Sequence, residues 1–388
     1  MAFLLVVIYI TFISLGLPDS LFGVAWPVVH IELGVPESMA SIFMILVALT
    51  TGGVSFFAGR AIRKFGTGKI TFASVLLTAI GLIGISFSTV IYQMILSSIV
   101  LGLGAGAIDT GLNNFVSLHY KASHMNWLHC FWGVGVTISP LIMSYFMDNG
   151  VWRDGYRAIA YIQLAIAFLV FLSLGKWKKA EKTIVNTSVV KKEKINVFKI
   201  KGVVFAIISL GLYTSMEFLV GTWGASFLVN TRACEPALAA QWISLYYGGI
   251  MIGRFISGFL SYKINDKWLI RIGIVISLSG IIILAIPIGK FSMAGLLMIG
   301  IGFGPVFPSF LHAAPVRFGI EYSADITGYQ MGGSYVIGFG MQLIFGYTAT
   351  ATTFEIMPYI MMILAVLLLI FSEITNKKTS KHMESGLS

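Results

Sequence analysis

The 388 residues carry 57% hydrophobic side chains and only 11% charged ones, with a mean hydropathy of +0.89. So few charges cannot cover the surface of a water-soluble globule of this size, which excludes an ordinary soluble enzyme. The net charge of +10 does not point to nucleic acid either, because the cations are spread over short loops, where membrane topogenesis and contact with anionic lipid account for them.

Apolar blocks of about 18–28 residues, each long enough to cross a hydrocarbon core of about 30 Å, predict twelve transmembrane helices. They cover 3–29, 37–58, 70–88, 91–117, 125–147, 157–175, 202–229, 237–262, 269–288, 291–314, 323–348 and 355–375. The first block lacks a cationic leader region and a small-residue cleavage site, so it is expected to be a retained helix. It contains Asp19 and Trp26. The loop after the second block holds Arg60, Arg63, Lys64 and Lys69. The fourth contains Asp109, Asn113 and Asn114, and the fifth His129, Cys130 and Trp132.

Residues 176–201, rich in Lys, form the one break in composition and are expected to be a solvated cytoplasmic linker. It separates an N-terminal six-helix bundle, 1–175, from a C-terminal one, 202–375, followed by a cytoplasmic tail, 376–388. The seventh block carries Glu217 and Trp223, and the eighth Tyr246, Tyr247 and Arg254. In the tenth, Gly304-Pro305 and Phe307-Pro308 offer hinge points, because proline removes a backbone donor. His312 and Arg317 at its end are expected at the membrane interface, and Gln330 lies in the eleventh block. The two cysteines, Cys130 and Cys234, lie about a membrane thickness apart and give no disulfide framework.

Of the 26 Lys and Arg, all but Arg153, Arg157, Arg232 and Lys290 fall on one face when the N-terminus is placed inside, so both termini are expected in the cytoplasm. Three motifs recur across the midpoint, as in transporters built from duplicated halves. Leu15-Gly16-Leu17 matches Leu210-Gly211-Leu212, and Gly102-x-Gly104-x-Gly106 matches Gly300-x-Gly302-x-Gly304. Gly59 with Lys64 matches Gly258 with Lys263.

Intramembrane acids cost about 2.5–3.5 kcal/mol on insertion scales and so need a cavity, a partner or a proton. Asp19 toward the outer side, Glu217 near mid-depth and Asp109 toward the inner side are therefore candidates for binding a coupling proton. The structural alternative is that each serves as a helix-packing hydrogen-bond partner or pairs with Arg254 or Arg317.

The stretch Gly59-Arg60-Ala61-Ile62-Arg63-Lys64-Phe65-Gly66 resembles the loop signature of the major facilitator superfamily, with Arg63 where that signature has an acid. Gly253-Arg254, Gly258 and Lys263 are a weaker second copy. The resemblance implies an all-α major facilitator fold of two pseudo-symmetric six-helix bundles, and gating roles for Gly59, Arg63, Lys64, Gly66, Arg254, Gly258 and Lys263.

Within the superfamily, Gly106-Ala107-Ile108-Asp109-Thr110-Gly111-Leu112-Asn113-Asn114-Phe115-Val116 and Asn126-x-x-His129-x-Phe131 resemble the fucose permease group of sugar:proton symporters. That likeness implies that Asp109 couples the proton. The helices that line the cavity in the superfamily would supply substrate contacts from Asn113, Asn114, His129, Trp132, Trp26, Trp223, Tyr246, Tyr247 and Gln330. Amides for hydroxyls and aromatic faces for C–H surfaces are the groups a sugar needs. Trp26 and Trp223 also suit an interfacial belt, and His129 a solvated edge.

No phosphate-loop, zinc-protease or clustered Cys/His spacing occurs, so neither an enzyme nor an ATP-driven pump is expected, and no cofactor. The expected function is proton-coupled symport of a sugar or similar small polar solute, with Na⁺ open as the ion. The alternatives are an exporter of amphipathic compounds on the same fold and a non-transporting membrane sensor. A small-molecule substrate, membrane lipid, no nucleic acid, a monomeric state and the plasma (inner) membrane complete the expectations.

Overall fold

The computed structural model describes residues 2–120, 122–181 and 197–385, which are helical throughout apart from short connections. The helices are α1 (Ala2–Asp19), α2 (Leu21–Glu32), α3 (Met39–Phe65), α4 (Thr67–Phe87), α5 (Ile91–His119), α6 (Ala122–Asp148) and α7 (Trp152–Glu181). They continue with α8 (Val203–Arg232), α9 (Pro236–Leu260), α10 (Asp266–Leu284), α11 (Gly289–His312), the short α12 (Ala314–Phe318), α13 (Ile320–Ala351) and α14 (Ile356–Ser385). Among the described residues, ten helical segments combine the length and apolarity needed to cross a bilayer, with α1 and α2 counted together as Phe3–Glu32. The remaining two predicted spans fall on α3, whose apolar described stretch is Met39–Val54, and on the 32-residue α13.

The chain divides into two compact units: Met1–Ser188 with Glu235–Ser244, and Val189–Cys234 with Leu245–Ser388. The repeated glycines have a common purpose inside them. In the first unit, a methyl added to Gly102 or Gly106 would lie 2.0 Å from Thr50 Oγ1 or 2.2 Å from the Thr51 carbonyl of α3. One added to Gly104 would lie 2.7 Å from the Ser74 carbonyl of α4. In the second unit, Gly300 and Gly304 press on the backbone of α9 at Tyr246 and Gly253, and Gly302 on the Gly273 carbonyl of α10. In each unit a single helix thus alternates close contacts with two neighbours, which only residues without a Cβ allow. The Gly16 and Gly211 motifs also correspond, the first packing on α6 and the second on α13.

Three boundaries differ from the sequence expectation. The first span is broken at Ser20, whose hydroxyl donates to the Val136 carbonyl at 2.9 Å. The expected linker does not begin at 176, because α7 runs on to Glu181. Trp177 there is buried, packs on Phe115 at 4.8 Å and donates to Ser173 Oγ. At the other end Val197, in the 3₁₀ turn Val197–Lys199, joins a small core with Val203, Ala206, Ala314, Phe318 and Ile326. Residues 182–196 lie outside the described ones. The expected tail is likewise helical to Ser385, and Asn376 and Thr379 are buried. Apolar residues threaded among the lysines supply the contacts that composition alone hides.

Candidate functional site

Each unit gathers polar groups around its first helix. In the first, Pro18 and Asp19 end α1 at the break, and Trp132 of α6 donates its indole N–H to Asp19 Oδ2 at 2.8 Å. The Gly16–Gly135 contact brings α1 and α6 close enough for this bond. His129, one turn before Trp132, is half-buried edge-on to Phe12 at 5.9 Å. Nearer the start of α1, the Tyr9 hydroxyl and His124 Nδ1 are 2.7 Å apart, and the Tyr9 ring stacks on Phe131 at 4.6 Å. Deeper still, Ser14 donates to the Gln163 side-chain oxygen, and Gln163 Nε2 donates to the Ser14 carbonyl at 2.6 Å, both residues buried.

In the second unit, Glu217 of α8 faces Arg254 of α9, with Oε1 and Nη2 3.9 Å apart and both side chains nearly buried. Tyr213, one helical turn before Glu217, adjoins both charges and is itself fully buried against Phe303 at 5.2 Å. Tyr246 donates to the Glu217 carbonyl at 3.3 Å, and its ring lies 5.0 Å from that of Tyr247. Gly221 makes room for Tyr247, because a methyl there would lie 2.5 Å from its hydroxyl. Gly304 of α11 sets the height of Arg254 by packing on the Gly253–Arg254 backbone. A carboxylate and a guanidinium this far inside a membrane unit cancel in net charge, and the 3.9 Å gap is looser than a bidentate pair. Protonating or deprotonating Glu217 there changes the charge presented by the whole cluster.

The other predicted residues fall differently. Trp26 is fully buried, donates to the Glu37 carbonyl at 2.7 Å and lies beside Phe22. Trp223 is fully buried between Phe345 and Phe354. Neither presents an aromatic face to a solute in this structure, and neither is an interfacial belt residue; packing inside the unit uses both. Gln330 is completely buried on α13, with no partner for either amide atom among the described residues. Asn113 is half-buried on α5. The surroundings of Gly59 and the side chains of Asp109, Asn114 and Arg63 lie outside what the structure describes.

Gly66 has φ +87° and joins α3 directly to α4, a backbone that favours glycine, while Lys64 beside it is exposed. Gly258 and Lys263 lie at the exposed end of α9 and in the turn after it. Arg254, grouped with them by motif, instead turns inward to Glu217.

Arg317 is also placed differently from the interface expected for it. It is buried on α12, donates to Asn376 Oδ1 at 2.9 Å and stacks over Phe310 at 5.6 Å. Burial pushes its guanidinium down to about 10, against the opposing pull of Asp266 and Glu373. His312 does sit at the surface, paired to Asp266 at 2.9 Å. α11 stays helical through Pro305 and Pro308.

Sequence reasoning missed Tyr213, Tyr9, His124 and the Ser14–Gln163 pair. Tyr213 was findable, since it stands four residues before Glu217 and so shares its helix face. The other groups are brought together by helices over a hundred residues apart in the chain.

The sequence pattern of the Major Facilitator Superfamily matches residues 8–341. The glucose/mannose transporter GlcP of Bacillus subtilis is 24% identical over 292 residues, 71% of each chain. The glucose/galactose transporter of Brucella abortus is 24% identical over 278 residues, 67% of each chain. The cis,cis-muconate transport protein of Acinetobacter baylyi is 22% identical over 315 residues, 76% of this chain and 73% of that protein. Among solved structures, a bacterial homolog of the human lysosomal transporter Spinster, inward-facing and occupied, superposes with a TM-score of 0.71. It covers 98% of both chains at 12% identity, a likeness of fold.

Proposed function

Because the chain belongs to the Major Facilitator Superfamily, a family of multi-pass membrane transporters, we propose that it carries a hexose or similar neutral polar solute across the plasma membrane by proton-coupled symport and alternating access. Both termini are then cytoplasmic, the protein works as a monomer, and no cofactor takes part.

The observation that carries this reading is the nearly buried Glu217–Arg254 pair with its tyrosines. With Glu217 ionised its carboxylate holds Arg254. Protonating Glu217 weakens that hold and frees guanidinium donors for the hydroxyls of a neutral solute, so proton loading and substrate affinity rise together, as symport requires. Asp19, held by Trp132, offers a second acid in the other unit, and Asp109 a third. The names of the glucose, mannose and galactose transporters among the relatives support a sugar.

One observation favours a second reading. Arg254 is a membrane-buried cation, and a relative is named for transport of a dicarboxylate, cis,cis-muconate. Organic-anion symport would then have the substrate carboxylate take the place of Glu217 on the guanidinium.

Uptake of labelled D-glucose, D-galactose, D-mannose and muconate into proteoliposomes under an imposed inward proton gradient decides among these readings. Hexose accumulation that collapses with a protonophore is expected. Muconate accumulation alone supports the second reading, efflux of amphipathic dyes driven by the gradient indicates an exporter, and no flux of any kind returns the chain to a sensor.

A further inference from the structure

Where α7 runs on past its apolar block to Glu181, it brings lysines to the end of a groove that the solute site does not use. On the outside of the first unit, Phe72 and Leu76 of α4 and Leu164, Ala167, Phe168 and Phe171 of α7 line an open cavity of about 320 Å³. Ala167, 2% exposed, is its floor, while Phe168 at 62% and Phe171 at 51% stand at its rim. Phe72 and Phe171, whose ring centroids are 5.5 Å apart, mark its end toward the lysines.

Both helices carry the face of the groove on to a cation. On α4, Lys69, Phe72 and Leu76 stand at i, i+3 and i+7; on α7, Leu164, Phe168, Phe171, Gly175 and Lys178 stand at i, i+4, i+7, i+11 and i+14. The rise from Phe171 to Lys178 is about 10 Å. The two basic ends are pinned together, because Gly68, next to Lys69, packs on Trp177, next to Lys178, so closely that a methyl there would lie 2.6 Å from the indole. Gly175 has nothing within 4 Å of the place a Cβ would occupy, which leaves the way from groove to lysines open. Lys69 and Lys178 are exposed, and among the described residues neither is paired with an acid. Lys176, by contrast, lies over the Phe3 ring at 3.6 Å.

We propose that this is a binding site for an anionic phospholipid of the leaflet facing these basic helix ends, with one acyl chain in the α4–α7 groove and the headgroup phosphate between Lys69 and Lys178. Cations set about 10 Å beyond an apolar groove match a molecule whose anionic head and hydrocarbon chain are joined. A lysine near the membrane surface gains roughly fivefold in affinity for anionic lipid. A zwitterionic headgroup carries its own cation, which offsets most of that attraction. A free phosphate would use the lysines and leave the groove empty of chain, so it gains nothing from the apolar surface. The site requires only that the chain spans a membrane, whichever solute it carries.

Native mass spectrometry of the full-length protein, titrated in detergent with dioleoylphosphatidylglycerol or dioleoylphosphatidylcholine, tests this. Wild type is expected to bind its first phosphatidylglycerol at least tenfold more tightly than phosphatidylcholine. Lys69→Gln and Lys178→Gln each lose about fivefold of that affinity, and the double variant binds the two lipids within twofold of each other. Lys201→Gln, at an exposed cation near the start of α8, stays within twofold of wild type. Gly175→Leu meets no protein atom at its Cβ, so it folds normally, and its side chain obstructs the groove and weakens both lipids at least threefold. Dihexanoylphosphatidylglycerol, with the same head and short chains, binds at least tenfold more weakly than the dioleoyl lipid.

A preference for phosphatidylglycerol that survives in the double variant overturns the site. So does a loss at Lys201 as large as that at Lys69, since the attraction is then the general charge of the protein. Short-chain and long-chain lipid binding equally, or Gly175→Leu binding both lipids like wild type, removes the groove from it. Displacement of bound phosphatidylglycerol by sn-glycerol 3-phosphate as readily as by the short-chain lipid makes it an anion site and overturns the lipid.

Discussion

Arg232 and Glu355 close one corner of the second unit with a 2.5 Å ion pair whose polarity is opposite to that of its counterpart in the first. In the first unit the acid, Glu32, ends the α1–α2 span, and the cation, Arg153, begins α7. In the second the cation, Arg232, ends α8, and the acid, Glu355, precedes α14. In both cases the guanidinium reaches on to a carbonyl at the end of a third helix: Ser88 after α4 at 2.9 Å, and Leu284 of α10 at 3.2 Å. Duplication therefore preserved the three-helix clasp and the need for an arginine in it, while the end that supplies the arginine changed.

An arginine that serves several partners is not replaceable by a lysine. Arg232 also donates to Ser292 Oγ and lies over Phe227 at 4.7 Å. Arg232→Lys is expected to destabilise the protein by about 1–3 kcal/mol, nearly as much as Arg232→Met, because a single ammonium cannot hold Glu355, Ser292 and Leu284 together. Thermal unfolding in detergent measures this; a lysine variant as stable as wild type contradicts the clasp.

For the Glu217–Arg254 pair, stability and transport should separate. Glu217→Gln leaves a nearly buried guanidinium without its counter-charge, and breaking such a pair costs about 3–5 kcal/mol. Removing both charges in Glu217→Gln/Arg254→Gln is expected to restore most of that stability. Proton-driven accumulation should be abolished in both, with counterflow exchange spared in the single variant. A double variant that still accumulates solute removes the pair from coupling.

Glycines of the membrane helices should differ according to what they face. Gly304→Ala puts a methyl 2.5 Å from the Gly253 backbone and must displace Arg254, so a loss of about 1–3 kcal/mol with impaired transport is expected. Gly328→Ala meets nothing within 4 Å and should be neutral or stabilising by up to about 1 kcal/mol. Paired unfolding curves and uptake rates compare the two, and equal effects count against the close-approach account.

At Asp19 the question is whether charge or hydrogen bonding matters. Asp19→Asn keeps an oxygen for the Trp132 indole, while Asp19→Ala does not. If Asp19 loads a proton, both variants lose gradient-driven uptake equally. If it only orients Trp132, the asparagine variant retains uptake and the alanine variant fails.

Buried side-chain pairs that no pattern announces should still carry weight. Ser14→Ala deprives the buried Gln163 of one of its partners in α1 and is expected to cost about 1–3 kcal/mol. Chemical unfolding followed by tryptophan fluorescence reads this, and an unchanged midpoint places no load on the contact.

The sequence by itself determined the solvent, the helices and the duplication. A chain this apolar has to satisfy its backbone within helices, and glycines repeated at fixed offsets record helices that must touch. It also singled out Asp19 and Glu217, because a charge in an apolar run is costly wherever it ends up. What it could not determine was which side chains meet. The partner of Asp19 is 113 residues away and that of Glu217 is on the next helix, and no periodicity encodes the rotation of one helix against another. The same gap explains the tryptophans: an amphipathic ring near a helix end suits an interface, a cavity or a core equally well, and only the packing of Phe345 and Phe354 around Trp223, or the Glu37 carbonyl at Trp26, decides between them. Local chemistry set the cost of each buried polar group, and tertiary contact chose what met it.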